Sequence, residues 1–250
     1  MKKLRIVSDG FEPFVDRKEA GRLLGWEFYG LRGSGPVVLG LSGGGLVVAR
    51  QISIALGADL DVVLSRKMRA PGREDIALGS IPESRSVFLN EPAIEALGVS
   101  RSYIAVERAL QETEILRRMR RIRGIRPKIS LEGRTIILVD DGITTGATMR
   151  AAIWAIRQEH PETLLIGIPV GPEEGILRLA READGTVCLK APPLFTSLDQ
   201  FYIHFDGISE EETITILEHQ LVGKLEAEEK PKMSQTARFF FKLALQRYFF

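Results

Sequence analysis

Five short apolar runs constrain this chain more than any other feature. They occupy residues 36–40, 60–64, 135–139, 164–170 and 186–189. Each reads as a strand, and each is apolar rather than alternating, which is the pattern of strands buried on both faces. Helix-type stretches separate several of them. One runs from the glycine loop at 42–45 to about Leu56, with Gly57 as its C-cap. Others cover 147–158 and the stretch from Pro172 to Ala183. The expected architecture is therefore α/β: a mainly parallel five-stranded sheet flanked by helices.

The rest of the chain decorates that sheet. Asp16 reads as the N-cap of a short helix to Leu24. Residues 67–129 do not fit strand–helix alternation and read as an elaborated insertion. It holds a hairpin (76–81 with 87–90) and a helix over 104–123. Ser209 and Glu212 form a capping box for a late helix that Gly223 closes, before a charged linker at 226–232. The expected division is a main domain at 1–223 and a linker with an amphipathic C-terminal helix at 224–250. In that tail, Ala237, Phe240, Phe241, Ala244, Leu245 and Tyr248 share one helical face. Residues 234–250 hold no acid, three basic residues and six aromatics. That composition suits docking on a protein surface or weak contact with a membrane surface.

Charge and cysteine use narrow the function classes. Lys and Arg number 34 against 33 Asp and Glu, a net charge of +1 over 250 residues. A dedicated nucleic-acid binder is usually basic overall, so nucleic acid is not an expected partner. The local exception is 117–128, with seven basic residues in twelve, which reads as a solvated helix end where Glu114 pairs with Arg118. Cys188 is the single cysteine; it has no disulfide partner within the chain and reads as core. His160, His204 and His219 lack metal-ligand spacing. Trp154 is expected to pack on the sheet. The longest uncharged run, 33–49, has 17 residues with six glycines, short of the roughly 20 apolar residues of a membrane span. With no secretory signal visible, a cytoplasmic location is expected.

The chemistry concentrates in residues 136–148, IILVDDGITTGAT. Apolar residues end a buried strand. Asp140 and Asp141 follow at its carboxyl end, where open parallel sheets bind ligands. Gly142, Ile143, Thr144, Thr145, Gly146, Ala147 and Thr148 then form a loop that opens a helix. Backbone N–H groups in such a loop can wrap a phosphate, helped by the helix N-terminus. The paired carboxylates suit vicinal sugar hydroxyls, or magnesium held partly through water. These parts together suit a ribose 5-phosphate.

This segment resembles the 5-phosphoribosyl-1-pyrophosphate (PRPP) motif of type I phosphoribosyltransferases. The likeness extends through FVDRKEAG at 14–21, the loop at 40–49, DVVLSRKMRAPG at 61–72, Pro169-Val170 and the region 193–205. In order and spacing these look like a bacterial subgroup of phosphoribosyltransferases, over about residues 11–221. The resemblance implies transfer of 5-phosphoribosyl from PRPP to a nitrogen acceptor, with magnesium and release of pyrophosphate. It implies that Gly43, Gly44 and Gly45 form the pyrophosphate loop, joined by Arg66 and Lys67. It also implies that Asp140 and Asp141 hold the ribose, that the region after Lys67 is a lid, and that the protein is a homodimer. The subgroup usually reads Pro-Arg-Gly-Gly where this chain has Ser42-Gly43-Gly44-Gly45. His204 and Gly207 also differ from the acidic and amide residues expected there.

Two other readings remain. A PRPP-binding regulator would keep the fold and drop the catalysis. A serine hydrolase would use Gly40-Leu41-Ser42-Gly43-Gly44 as a nucleophile elbow, with His204 or His219 and Asp184 or Asp199.

Overall fold

The computed structural model describes residues 3–83 and 87–229. Six strands, not five, form the main sheet. They are β1 (Leu4–Ser8), β2 (Val37–Leu41), β3 (Asp59–Val63), β7 (Thr135–Val139), β8 (Thr163–Val170) and β9 (Gly185–Lys190). The order is β1-β9-β8-β7-β2-β3, and every pairing is parallel. The additional strand is β1, on the edge beside β9.

The apolar runs are explained by two cores, one on each face. Val38, Val62, Ile137, Val139 and Leu165 point to one face. There they pack with residues of helices α1 (Arg17–Glu27), α2 (Gly44–Leu56) and α7 (Glu210–Glu229). Val37, Leu39, Ile136, Leu138, Leu164 and Ile166 point to the other, under α5 (Ala147–Arg157) and α6 (Glu173–Glu182). Successive strand residues thus enter opposite cores, and no position is left for a polar residue facing water.

The helix starts follow local chemistry. The Asp16 carboxylate accepts from the Glu19 N–H at 2.8 Å, and Glu19 accepts in return from the Val15 N–H. At α7, the Glu212 N–H donates to Ser209 Oγ at 3.1 Å, and the Ser209 N–H donates to Glu212 at 2.8 Å. The expected capping box is therefore present. The expected stop at Gly223 is not: α7 runs through it to Glu229 and takes in the start of the expected linker. The tail face from Ala237 to Tyr248 lies outside the described residues.

The insertion is richer than a hairpin and a helix. It holds a second sheet of β4 (Ser65–Ala70), β5 (Arg73–Pro82) and β6 (Phe88–Leu89), then α3 (Glu91–Leu97) and α4 (Arg101–Ile125). The expected hairpin is the short β5–β6 pairing, while the longer partner of β5 is β4. Trp154 packs on this insertion rather than on the main sheet, its ring 6.0 Å from that of Phe88. No helix among the described residues is long and apolar enough to cross a membrane.

Candidate active site

The topology dictates where a site can form. From β2 the chain moves outward to β3, then returns to place β7 on the other side of β2 and continues through β8 and β9. The carboxyl ends of β2 and β7 therefore flank a crevice at a topological switch point, the usual ligand position in open parallel sheets. In-register pairing, with Gly40 opposite Val139, brings the loop after β2 against Asp140 and Asp141.

Two helix N-termini meet there. Gly43 caps α2 and Gly146 caps α5, and neither helix has a side-chain cap. Their first-turn N–H groups lie at the positive ends of the helix dipoles. Gly43 has φ +94° and ψ −131°, a conformation that side-chain-bearing residues avoid. This loop geometry thus selects glycine where the resembling subgroup carries arginine. Thr144 and Thr145 are exposed beside the second N-terminus and Thr148 is half-buried, while Thr145 Oγ1 lies 3.4 Å from the Ala147 N–H. Ile143 differs from its neighbours: its side chain is buried and its N–H donates to the Val170 carbonyl at 3.0 Å. It anchors the loop and offers no donor to a phosphate.

The two acids have different surroundings. Asp141 accepts from Arg17 Nε at 2.7 Å, an ion pair that is nearly buried on both sides. Arg17 also donates to the Asp206 carbonyl at 2.7 Å and lies 4.0 Å from the Phe205 ring. The Tyr202 hydroxyl donates to the Asp141 carbonyl, and burial with the Asp141 charge pushes that phenol up. Backbone bonds from Phe14 to Phe201 and from Ile203 to Phe14 hold this aromatic flap beside the start of α1. Arg17 carries no role in the sequence reading, although it stands inside the FVDRKEAG stretch.

Asp140 accepts from the Asp141 N–H at 3.0 Å. Burial first, and the adjacent Asp141 carboxylate second, push the Asp140 carboxyl well above the usual carboxylate range, with Lys67 pulling it back. Such an acid binds more protons in the folded chain than in the unfolded one. Its contribution to stability therefore falls as pH rises from the ordinary carboxylate range through the raised value, and it is unfavourable at neutral pH. Asp140→Asn keeps an oxygen for the Asp141 N–H and removes the charge. In metal-free buffer at pH 7 it is expected to raise the melting midpoint. A lowered midpoint would contradict this account of the carboxyl.

The remaining expected residues divide. Lys67 is exposed on the β4 face that turns toward α5, and its charge reaches Asp140. Arg66 turns the other way: its Nε donates to Gln111 of α4 at 2.9 Å. Adjacent strand residues point to opposite faces, so Lys67 and Arg66 do not share the site in this conformation. Among the described residues no cluster of three or more His, Cys, Asp or Glu forms a metal cage. The paired carboxylates suit magnesium that keeps waters and ligand oxygens in its shell rather than a dedicated protein site. Cys188 is buried, and burial pushes its thiol up to about 12, as expected of core. No hydrogen bond among the described residues joins Ser42 to a histidine, and His204 and His219 are exposed.

The basic run is largely neutralised. Arg117, Arg118 and Arg121 pair with Glu210 at the start of α7, and Arg117 and Arg118 also pair with Glu114. Arg123 pairs with Asp61 and Glu83, and Lys128 with Glu159. These charges tie the insertion to the main domain.

A parallel sheet with a crevice at its switch point defines an open α/β ligand-binding architecture, and the relatives sharpen that class. Residues 16–198 match the model of the phosphoribosyl transferase domain, and the chain belongs to that family. It is 38% identical over 206 residues to a protein of Mycobacterium tuberculosis strains H37Rv and CDC 1551 named "Putative phosphoribosyl transferase". That match covers 82% of this chain and 46% of the relative, so the chain spans about half the length of the curated relatives it matches. The crystal structure of TT1426 from Thermus thermophilus superposes with a TM-score of 0.72 at 38% identity, over 83% of this chain and 98% of that one.

Proposed function

We propose that the chain is a phosphoribosyltransferase that binds PRPP with magnesium and transfers its 5-phosphoribosyl group to a nitrogen acceptor. The observation that carries this reading is the carboxylate pair set between two uncapped helix N-termini. In it, the amides around Thr144, Thr145, Gly146 and Thr148 receive the 5-phosphate. Gly43, Gly44 and Gly45 receive the pyrophosphate, with Lys67 approaching from the insertion. Asp140 and Asp141 hold the ribose hydroxyls, and Arg17 fixes Asp141 in place.

When bound, magnesium would neutralise pyrophosphate charge, with Asp140 and Asp141 as its water-bridged partners. The acceptor nitrogen forms a bond to the anomeric carbon as the bond to the pyrophosphate oxygen breaks. The nitrogen's proton passes to one carboxylate of the Asp140–Asp141 pair, and pyrophosphate leaves with the bonding electrons. The protein's part is positioning, stabilisation of developing charge, and exclusion of water by the insertion and the aromatic flap. A homodimer in a cytoplasmic setting belongs to the same reading.

Magnesium-dependent PRPP binding is expected in calorimetry and is expected to vanish in an Asp140→Asn/Asp141→Asn variant. Equal binding by the variant would overturn the site assignment. The glycine-only geometry at Gly43, where the subgroup has an arginine, favours a second reading, a PRPP-binding regulator. Release of pyrophosphate across a panel of purines, pyrimidines and amines separates the two: turnover with any acceptor identifies the enzyme.

A further inference from the structure

A second cavity lies between the insertion sheet and α5, apart from the carboxylate pair. Its volume is about 170 Å3. A row across the three-stranded sheet forms one wall. Lys67 of β4 is opposite Ser80 of β5, and Ser80 is opposite Phe88 of β6. Directly paired residues share a face, so all three side chains point the same way. The pairing shifts between Met68 and Arg69, which brings Ala77, opposite Arg69, onto the same face. The facing wall is the side of α5 that carries Ala147, Thr148 and Ala151.

The chemistry of this cavity is asymmetric. Ser80 is 4% exposed, yet its hydroxyl has no hydrogen-bond partner among the described residues. Buried hydroxyls are normally satisfied, so an unpaired one at a cavity wall marks the place of a missing partner. Lys67 supplies a positive charge beside it and Thr148 a second hydroxyl. Asn90 uses its amide N–H on the Ala77 carbonyl at 3.2 Å, which leaves its oxygen unassigned. Arg150 stands at the edge with its guanidinium held by Glu182 at 2.6 Å. Among the described residues, no Asp or Glu lines the space. The other end is apolar, with Phe88, Leu89 and Pro92. A cavity of about 150 Å3 is large enough to hold benzene.

We propose that this cavity binds a small single-ring carboxylate. The acid group sits between Lys67 and the hydroxyls of Ser80 and Thr148, and the ring lies against Phe88 and Leu89. The charge requirement follows from Lys67 on a wall that carries no described acid, and the ring from the volume and the apolar end. Such a ligand would bridge the insertion to α5. The cavity shares Lys67 and Thr148 with the PRPP site proposed above, so its ligand would compete with PRPP there; the test reads binding to the free chain and needs no transfer reaction.

The probes are benzoate, the uncharged isostere benzamide, and acetate as a carboxylate with no ring. Each is titrated into the full-length chain and followed by calorimetry and by tryptophan fluorescence, since Trp154 lies against Phe88. Benzoate is expected to bind at least about tenfold more tightly than either other probe, the scale of one charge-assisted hydrogen bond. Ser80→Ala is expected to weaken benzoate about tenfold while leaving the melting midpoint equal or higher, because it removes an unsatisfied buried hydroxyl. Ala77→Leu fills the space and is expected to remove binding. Equal binding of benzamide or acetate, or unchanged benzoate binding by Ser80→Ala, would overturn the proposal.

Discussion

Gly44→Ala is expected to weaken PRPP binding about 100-fold, close to 2.7 kcal/mol, while the fold survives. The reason is a collision at the centre of the site. A Cβ at Gly44 would stand 1.9 Å from Asp141 Oδ2 and 2.4 Å from Arg17 Nε. Neither atom is the far end of a slack side chain. Asp141 is held by Arg17, and Arg17 is held by the Asp206 carbonyl and the Phe205 ring. One methyl group therefore separates the ion pair, turns a proposed ribose ligand and loosens the aromatic flap together. The helix itself tolerates the change, because alanine is a good helix former and Gly44 begins α2. Gly30→Ala is the control, since a Cβ there meets nothing within 4 Å. Calorimetry on both variants measures the difference. Wild-type affinity in Gly44→Ala would show that Asp141 need not stay where Arg17 holds it.

The parts of this molecule legible in the sequence are those fixed by local chemistry. The runs in β2, β3, β7, β8 and β9 could be read because both of their faces are buried, which demands apolar residues at most steps; Asp61 in β3 and Thr186 in β9 are buried polar exceptions. β1 obeys a different rule. It lies at the sheet edge with Arg5 and Val7 exposed, so its five residues form no apolar run. β4 is harder still: SRKMRA holds three cations in six residues, and it is a strand because β5 pairs with it. The carboxylate pair and hydroxyl loop were visible because their whole arrangement lies within nine consecutive residues. Arg17 was not, because its partner Asp141 is 124 positions away and only the fold brings them together. Arg66 illustrates the reverse case. Its neighbour Lys67 faces the cavity, and a step of one residue along a strand reverses direction.

Arg123→Met should be the most destabilising single change, at about 3–5 kcal/mol. Arg123 reaches from α4 to place one nitrogen 2.7 Å from Asp61, on β3, and two others 2.7 Å from both oxygens of Glu83, just past β5. Asp61 is 2% exposed. With the guanidinium gone, it keeps only the Val62 and Ile129 N–H groups, at 2.8 and 3.1 Å, against a buried charge. A domain holds only about 5–15 kcal/mol in total, so this loss is a large share. Arg117 offers the contrast. Its pairs with Glu114 and Glu210 sit at the surface, where such bridges are worth about 0–1 kcal/mol, so Arg117→Gln should lower the urea midpoint only slightly. The mechanism also predicts a partial rescue: Arg123→Met/Asp61→Leu removes the buried Asp61 charge with its partner and leaves only Glu83, at the edge, unpaired, so it should recover part of the loss with the denaturant slope unchanged. An Arg123→Met loss below about 1 kcal/mol, or a double variant no better than the single, would mean that water reaches Asp61 and that the clamp between insertion and sheet is held by apolar packing instead.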